Sequence, residues 1–138
     1  MDKEPVIISM CSLGIPCQYR PRSYRRKIVD KYMKKYFLIP LCPEQLGGLS
    51  TPRTACHLEE CKIQKIDCKG LIKYEIKVIG NDGQNYTEQY IKGANLALKI
   101  AQMYNIKKAY LKKNSPSCGK GGITRKLFEK NGIVVYQI

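Results

Sequence analysis

The sequence lacks the features of a membrane-spanning or exported protein. Across 138 residues no apolar run approaches the ~20 residues that a membrane-spanning helix needs. The amino terminus has no basic flank, long apolar stretch and small-residue cleavage site, which together make a signal peptide. Internal repeats and low-complexity linkers are also absent from the sequence. We therefore expect a single cytoplasmic domain that covers residues 1–138 and makes no contact with a membrane.

Several common cofactor motifs are missing as well. No Cys-x-x-Cys pair occurs, which argues against a thioredoxin-type dithiol and against a zinc ribbon. Residues 119–122 (Gly-Lys-Gly-Gly) resemble a phosphate cradle, but the full Gly-x-x-x-x-Gly-Lys-Ser/Thr pattern is absent. Cys56, His57 and Cys61 do not have the spacing of a familiar structural zinc site. The cysteines therefore need another explanation.

Acidic residues are scarce, since 11 Asp and Glu stand against 25 Lys and Arg, which gives a net charge of +14. Such an excess is typical of proteins that contact nucleic acid and is compatible with an RNA partner. A lysine-rich solvated surface is the simpler alternative, and aromatic residues make up only 9% of the chain, with no Trp. The charge is concentrated in two zones, one within residues 20–35 and one comprising Lys107, Lys108, Lys112, Lys113, Lys120, Arg125 and Lys126.

What the sequence has in excess is cysteine. Seven cysteines in a chain without an export signal point to metal binding or catalysis rather than to disulfides. Disulfides are also not needed for stability, because 138 residues with 43% hydrophobic content can form a substantial core. Some thiols can still be small buried core residues. We assign that role to Cys61 and Cys68, which lie in a strand-like region.

Hydrophobic patterning predicts alternating strands and helices. Ser23 and Thr87 are candidate N-caps for two amphipathic helices, the first of which has a basic outer face. The pattern between residues 60 and 79 indicates extended structure, and the segment 80–83 is a strong turn. The alternation predicts one three-layer, Rossmann-like α/β domain whose mostly parallel sheet is flanked by helices. The remaining predictions are strands at 6–10, 37–41, 106–111 and 133–138, helices at 24–36, 88–104 and 124–130, and a loop at 42–53.

Three of the cysteines follow buried strands. Cys11 and Cys42 come directly after the first two strands. Cys118 lies in the loop after the third strand, where Pro116 and Gly119 break regular structure. The carboxyl ends of parallel strands share one edge of the sheet, and open α/β sheets bind their ligands there. The sequence therefore predicts a site built from three convergent thiols.

Three thiols at one edge suit an iron–sulfur cluster. Four cysteine ligands are usual for a [4Fe-4S] cluster, so three leave one iron able to act as a Lewis acid on a substrate atom. Iron in such a cluster prefers sulfur, which favours a sulfur-bearing substrate. Glu44, two residues after Cys42, is placed to transfer protons beside the metal. In the alternative interpretation the thiols are separate core residues and Glu44 is a solvated loop carboxylate.

Six blocks of sequence add to this interpretation. The most specific are 41–49 (Leu-Cys-Pro-Glu-Gln-Leu-Gly-Gly-Leu), 51–53 (Thr-Pro-Arg) and 111–119 (Leu-Lys-Lys-Asn-Ser-Pro-Ser-Cys-Gly). The others are 9–14, 17–19 and 92–94. In this order, and over nearly the whole chain, they resemble the thiouracil desulfidase family. Members of that family are similar in fold to the predicted sheet, carry a [4Fe-4S] cluster on three cysteines, and convert a thiolated pyrimidine to its oxo form with release of sulfide.

The resemblance implies roles for individual residues. The cluster ligands would be Cys11, Cys42 and Cys118. Glu44 would be the proton-transferring carboxylate and Ser115 the assisting hydroxyl, while Arg53 and Ser117 would bind the substrate. The substrate would be 2- or 4-thiouracil, as a free base, as a nucleoside or within tRNA. The reaction would need no redox cofactor.

Two alternatives stay open at this point. The chain departs from the family pattern at 19–21 and 54–57 and is short after Gly119, and these changes affect the substrate pocket. Cys17 could replace Cys11 as a ligand or complete a set of four, and a fourth thiolate would close the open iron. The non-enzymatic alternative is a basic RNA-binding module whose cysteines hold a structural metal.

Overall fold

The computed structural model describes residues 2–20, 24–66 and 72–138. Within these ranges no helix is long and apolar enough to cross a membrane. A 3-10 turn, Met10–Ser12, follows the first strand. The described helices are α1 (Ile28–Lys35), α2 (Pro43–Leu46), α3 (Thr87–Met103) and α4 (Ile123–Lys130), and the described strands are β1 (Glu4–Ser9), β2 (Tyr36–Leu41), β3 (Cys56–Ile66), β4 (Ile72–Gly80), β5 (Lys108–Leu111) and β6 (Val134–Gln137).

Four strands form the parallel sheet that the alternation of strands and helices predicts. Their order is β2-β1-β5-β6, and every neighbouring pair is parallel. In this register Val6 of β1 pairs with Leu38 of β2, and Ile7 pairs with Ala109 of β5. The order confirms the predicted mostly parallel α/β fold. It also brings the carboxyl ends of β1, β2 and β5 together at one edge.

β1 is buried on both faces of this sheet. Ile7 packs on one face, in a core cluster with Ala97 of α3 and Phe128 of α4. Val6 packs on the opposite face, in a cluster with Val29 of α1. Successive side chains of a strand point to opposite faces, so one strand contributes to both clusters. The sheet is therefore the middle of three layers, with α3 and α4 on one side and α1 on the other.

A separate antiparallel hairpin joins β3 and β4, where the sequence predicts only extended structure. The predicted turn at 80–83 is confirmed, because the N–H of Gly83 donates to the carbonyl of Gly80 at 2.9 Å. Gly83 has a φ of +81°, which side-chain-bearing residues rarely adopt. The assignment of Cys61 and Cys68 as core residues falls on side chains outside the described part of the structure.

α1 begins at Ile28, later than the helix predicted at 24–36. The preceding segment is held extended instead, because Arg25 forms an isolated antiparallel bridge with Leu13. That bridge places the basic segment before α1 beside the turn that follows β1. The predicted N-cap, Ser23, lies outside the described residues.

Two further local predictions are wrong. The segment after Cys42 is not entirely a loop, since residues Pro43–Leu46 form α2 with proline in the first turn, where no N–H is needed. Thr87 is the first residue of α3 rather than its N-cap. Its hydroxyl accepts a hydrogen bond from the backbone N–H of Val78 at 2.9 Å and so joins α3 to β4.

Candidate active site

A cavity of about 380 Å³ opens at the carboxyl edge of the sheet, beside the ends of β1, β2 and β5. Its wall includes the three thiols that the sequence predicts at this edge, Cys11, Cys42 and Cys118. Two further cysteines, Cys17 and Cys56, line the same cavity. The convergence of strand ends therefore creates a thiol-rich pocket with more thiols than the predicted ligand set.

A different element holds each of the three predicted thiols. Cys11 lies in the 3-10 turn after β1, and Cys42 is the N-cap residue of α2, directly after β2. Cys118 is buried in the loop between β5 and α4. Its backbone N–H donates to the hydroxyl of Ser115 at 3.3 Å, and the N–H of Ser117 donates to the same oxygen at 3.2 Å. Ser115 thus fixes the loop that presents Cys118.

The thiol of Cys17 is buried and hydrogen-bonds with the thiols of Cys11 and Cys42. Hydrogen bonding with the Cys17 thiol lowers the pKa of Cys11 to about 6 and the pKa of Cys42 to about 7, and it raises the pKa of Cys17 itself. Burial raises the pKa of Cys118 to about 12. Cys11 and Cys42 are therefore the more easily ionised thiols, and the thiolate is the form that binds metal.

The side chain of Glu44 reaches the cavity from the first turn of α2 and is held by three neighbours. Its Oε1 accepts a hydrogen bond from the Tyr90 hydroxyl and lies 3.4 Å from Nε of Arg53. Its Oε2 accepts a hydrogen bond from the Ser117 hydroxyl at 3.4 Å. Only 15% of the Glu44 side chain is exposed. The carboxylate predicted for proton transfer therefore lies at the cavity with both of its oxygens oriented.

Tyr90 is a site residue that sequence reasoning missed. It lies on α3, and only 1% of it is exposed. Burial raises its pKa and the charge of Glu44 adds to the effect, so its hydroxyl stays protonated and donates. The signal that could have revealed it is its position on the buried face of α3 with Ala94 and Ala97. A phenol on a buried face needs a hydrogen-bond partner.

The two residues predicted to bind substrate both contact Glu44. Arg53 lines the cavity, and its guanidinium also donates to the carbonyl of Ser50 at 2.9 Å. Ser117 is buried, and its hydroxyl lies 3.0 Å from that of Ser115. A chain of hydrogen bonds therefore runs from Ser115 through Ser117 to the Glu44 carboxylate. The substrate-binding roles of Arg53 and Ser117 stay predictions.

The cysteines that line the cavity are residues of the type that binds iron–sulfur clusters. Across the described part of the chain, no group of three or more His, Cys, Asp or Glu side chains could hold one ion. A [4Fe-4S] cluster binds each thiolate through a different iron, so its ligands stand farther apart. The imidazole of His57 lies on the surface, 2.8 Å from the carboxylate of Glu59, which argues against zinc at Cys56 and His57.

A second cavity, of about 670 Å³, adjoins the first, and Cys11 and Lys112 line both. Tyr19 and Tyr24 present exposed rings on its wall. Its cationic lining residues are Arg20, Arg25, Arg26 and Lys112. Part of the first predicted basic zone therefore lies directly beside the thiol pocket.

Comparison with known proteins agrees with the resemblance seen in the sequence. The family profile described as 2-thiouracil desulfurase matches residues 6–136. The uncharacterized protein YbbK of Bacillus subtilis (strain 168) is 33% identical over 118 residues, which cover 86% of this chain and 75% of YbbK. A solved structure described as the [4Fe-4S]-dependent thiouracil desulfidase TudS (DUF523Vcz) matches with a TM-score of 0.77 and 30% identity, covering 98% of this chain and 91% of TudS.

Proposed function

Because this chain belongs to the 2-thiouracil desulfurase family, we propose that it is a [4Fe-4S]-dependent desulfidase. The proposed reaction converts a thiolated pyrimidine, 2- or 4-thiouracil, to its oxo form and releases sulfide. The observation that carries the proposal is that Cys11, Cys42, Cys118 and Glu44 all line the same cavity. In a metal-assisted hydrolysis, a metal held by the thiolates would act as the Lewis acid, and the nearby carboxylate would accept the proton.

Cys11, Cys42 and Cys118 are the proposed ligands of the cluster. Three thiolates leave one of the four irons without a protein ligand. A cluster bound by these residues would supply a Lewis acid of the kind that suits a thiocarbonyl sulfur. Metal binding requires thiolates, and hydrogen bonding with the Cys17 thiol lowers the pKa of Cys11 and of Cys42, whereas burial raises the pKa of Cys118.

Glu44 is the proposed proton-transfer group. The reaction exchanges sulfur for oxygen, because water gives its oxygen to the pyrimidine carbon while its two protons leave with the sulfur as hydrogen sulfide. No electron is transferred, so no redox cofactor is needed. The Glu44 carboxylate, which lines the cavity, would accept a proton from the attacking water. Ser115, hydrogen-bonded to Ser117, would position the substrate or pass the proton on.

Arg53 and Ser117 are the proposed substrate-binding residues. The guanidinium of Arg53 lines the cavity and offers N–H donors to the oxygen or ring nitrogen of a pyrimidine. Ser117 is buried behind Ser115, so its contribution would pass through the hydrogen bond between the two hydroxyls. The basic second cavity favours a substrate that carries phosphate groups, as thiolated tRNA does.

Cys17 supports a second candidate function. Its buried thiol lines the same cavity and contacts Cys11 and Cys42, so it could replace Cys11 or act as a fourth ligand. A fully ligated cluster would be structural, and the chain would then be a basic RNA-binding module. The substitution Cys17→Ser tests whether Cys17 is a ligand. A cluster held by Cys11, Cys42 and Cys118 should keep its iron and its sulfide release, whereas a cluster that uses Cys17 should lose iron.

The proposed function is tested by anaerobic reconstitution followed by sulfide-release assays on thiouracil, on its nucleoside and on thiolated tRNA. We expect about four irons per chain and one sulfide released for each oxo pyrimidine formed. The assay that gives sulfide identifies the form of the substrate. A protein that holds its full iron complement and releases no sulfide from any of these compounds would refute the proposal.

A further inference from the structure

Tyr90 has no part in the proposed reaction, yet it contacts the group that moves protons. Its hydroxyl donates to Oε1 of Glu44 and also interacts with the thiol of Cys56, which lines the cavity. Tyr90 itself is buried in the core and is not among the residues that line this cavity. It therefore approaches the Glu44 carboxylate from the core side.

We propose that Tyr90 is a positioning residue whose hydroxyl holds the Glu44 carboxylate in its reactive orientation. The inference rests on the proposed function. The Nε of Arg53 lies 3.4 Å from the same Oε1 of Glu44 that the Tyr90 hydroxyl contacts. Two donors therefore fix one carboxylate oxygen. The other oxygen of Glu44, Oε2, contacts Ser117 in the loop that carries Cys118. Tyr90 acts on the reaction through Glu44 and touches no reacting atom itself.

The hydroxyl of Tyr90 reaches Glu44 because α2 and α3 approach each other closely. A Cβ added to Gly47 would lie 2.0 Å from the carbonyl oxygen of Gln89. A Cβ added to Gly93 would meet the carbonyl oxygen at the start of α2 at 1.8 Å. Only glycine fits at either position, and Tyr90 lies between these two backbone contacts on α3. The close packing of backbones therefore sets the position of the phenol against the carboxylate.

The chemistry of the contact separates a positioning role from mere packing. A phenylalanine would fill the same volume, whereas a buried hydroxyl must find a hydrogen-bond partner to offset its lost hydration. The partner of Tyr90 is a carboxylate, and hydrogen bonds to charged groups are about twice as strong as those between neutral groups. The terminal torsion of a glutamate side chain is broad on its own. A strong donor on Oε1 therefore selects one orientation of Glu44.

The first test compares Tyr90→Phe with the matched control Tyr86→Phe. Tyr86 precedes the same helix, and its hydroxyl contacts Asp82. In the reconstituted enzyme we expect Tyr90→Phe to lower kcat about 10-fold to 100-fold, with KM within about twofold of wild type and the iron content unchanged. Tyr86→Phe should leave kcat unchanged. A wild-type kcat in Tyr90→Phe, or a loss of kcat that follows a loss of iron, would overturn the inference.

The second test detects the hydrogen bond between Tyr90 and Glu44 in protein that is not turning over substrate. In cluster-free protein, Tyr90→Phe should shift the infrared band of the Glu44 carboxylate, because the frequency of that band responds to hydrogen bonding. The shift should disappear when Tyr90→Phe is made in a Glu44→Gln background. Glu44→Gln alone should shift the tyrosine C–O band, which keeps the test available if Tyr90→Phe does not fold.

The two tests separate the inference from the function beneath it. Identical difference spectra in the wild-type and Glu44→Gln backgrounds would overturn the role of Tyr90 even if the enzyme releases sulfide. Absence of sulfide release from the wild-type protein would overturn the proposed function itself, and with it the reaction in which Tyr90 is placed. If Tyr90→Phe shifts the infrared band of the Glu44 carboxylate and lowers kcat without changing KM or the iron content, both the role of Tyr90 and the proposed function are supported.

Discussion

Cys42 and Glu44 lie two residues apart, and the proposed reaction assigns them different tasks. The thiol of Cys42 would bind iron, whereas the oxygens of Glu44 are already engaged by Tyr90, Arg53 and Ser117. A change at Glu44 should therefore affect proton transfer and leave cluster binding intact. That separation makes the two roles testable one residue at a time.

Replacement of Glu44 by glutamine should abolish turnover without removing the cluster. The amide cannot accept a proton, and loss of one proton-transfer group typically costs about 10²-fold to 10⁴-fold in rate. Visible absorption and iron content should match wild type, and sulfide release measures the loss. Glu88→Gln is the control, because Glu88 is exposed in the first turn of α3. Full activity in Glu44→Gln would remove Glu44 from the mechanism.

Two cysteines on the wall of the same cavity should respond differently to replacement by serine. Cys118→Ser removes a proposed ligand, so the reconstituted protein should lose most of its iron. Cys56→Ser should keep its iron, because Cys56 is not in the proposed ligand set although it lines the cavity. Iron per chain and visible absorption measure both variants. Equal iron loss in the two variants, or none in Cys118→Ser, contradicts the ligand assignment.

At the scale of single residues, the sequence predicts those site residues whose position is set by the strand that precedes them in the chain. Cys11, Cys42 and Glu44 lie shortly after the apolar strands β1 and β2, so their arrival at the sheet edge follows from the strand pattern. Tyr90 reaches the site because α3 packs against α2, and Cys56 lines the cavity from the start of β3. Such contacts join residues far apart in the chain, and no local pattern specifies them.

α2 is the element that places Cys42 and Glu44, and α3 is the element that fixes α2. Gly47 and Gly93 let the two backbones approach until a Cβ at either position would overlap a carbonyl oxygen. The site therefore depends on a helix–helix contact in which the two backbones meet directly at Gly47 and Gly93. Any added atom at this contact should move the carboxylate relative to the thiols.

Gly93→Ala should destabilise the protein and lower its activity. Alanine in place of glycine favours a helix by about 1 kcal/mol. Overpacking at a rigid backbone contact costs about 1–3 kcal/mol, and a Cβ 1.8 Å from the oxygen of Pro43 leaves no room without movement. Because the overlap is with a backbone oxygen, we expect a cost of about 3 kcal/mol, which leaves a net loss of about 2 kcal/mol in the free energy of unfolding. Denaturant unfolding of the cluster-free protein measures it.

The matched control for this substitution is Asn95→Ala, an exposed position on the same helix. It should leave the free energy of unfolding unchanged or raise it slightly, because alanine has the higher helix propensity. Sulfide release should also match wild type. A Gly93→Ala protein as stable and active as Asn95→Ala would show that the α2–α3 contact is not needed for the site.

Elements with a regular hydrophobic pattern are predictable from the sequence, and short or distorted ones are not. β2 and α4 lie within one residue of their predicted limits because their apolar periodicity is clear. α2 has one turn and no periodicity, so nothing in its composition distinguishes it from a loop. α1 starts late because the bridge between Arg25 and Leu13, a tertiary contact, overrides the helical pattern.

At the scale of the whole molecule, the +14 net charge bears on which form of thiopyrimidine reaches the site. The basic second cavity lies beside the thiol pocket, where the phosphates of an RNA substrate would sit. With thiolated tRNA, activity at limiting substrate should fall steeply between about 50 and 200 mM salt, because phosphate contacts release counterions. With free thiouracil it should not change. Equal salt dependence for both substrates would argue against RNA as the substrate.

The overall architecture is the most predictable part of this protein. Four strands alternating with helices specify a parallel sheet, since parallel strands need crossover connections. The sheet order then places β1 between β2 and β5, and the three thiols line one cavity beside the ends of these strands. The partnering of β3 with β4 as a separate hairpin is not predictable, because the pattern there indicates extended chain without a partner.

Mössbauer spectroscopy of ⁵⁷Fe-reconstituted protein, recorded with and without thiouracil, tests the central claim most directly. Three thiolate ligands predict that one iron in about four differs from the rest, and that thiouracil changes the signal of this iron alone. The measurement reports on ligation without requiring turnover. Four equivalent irons, or a spectrum that thiouracil leaves unchanged at saturating concentration, would contradict a three-cysteine cluster with an iron open to the substrate.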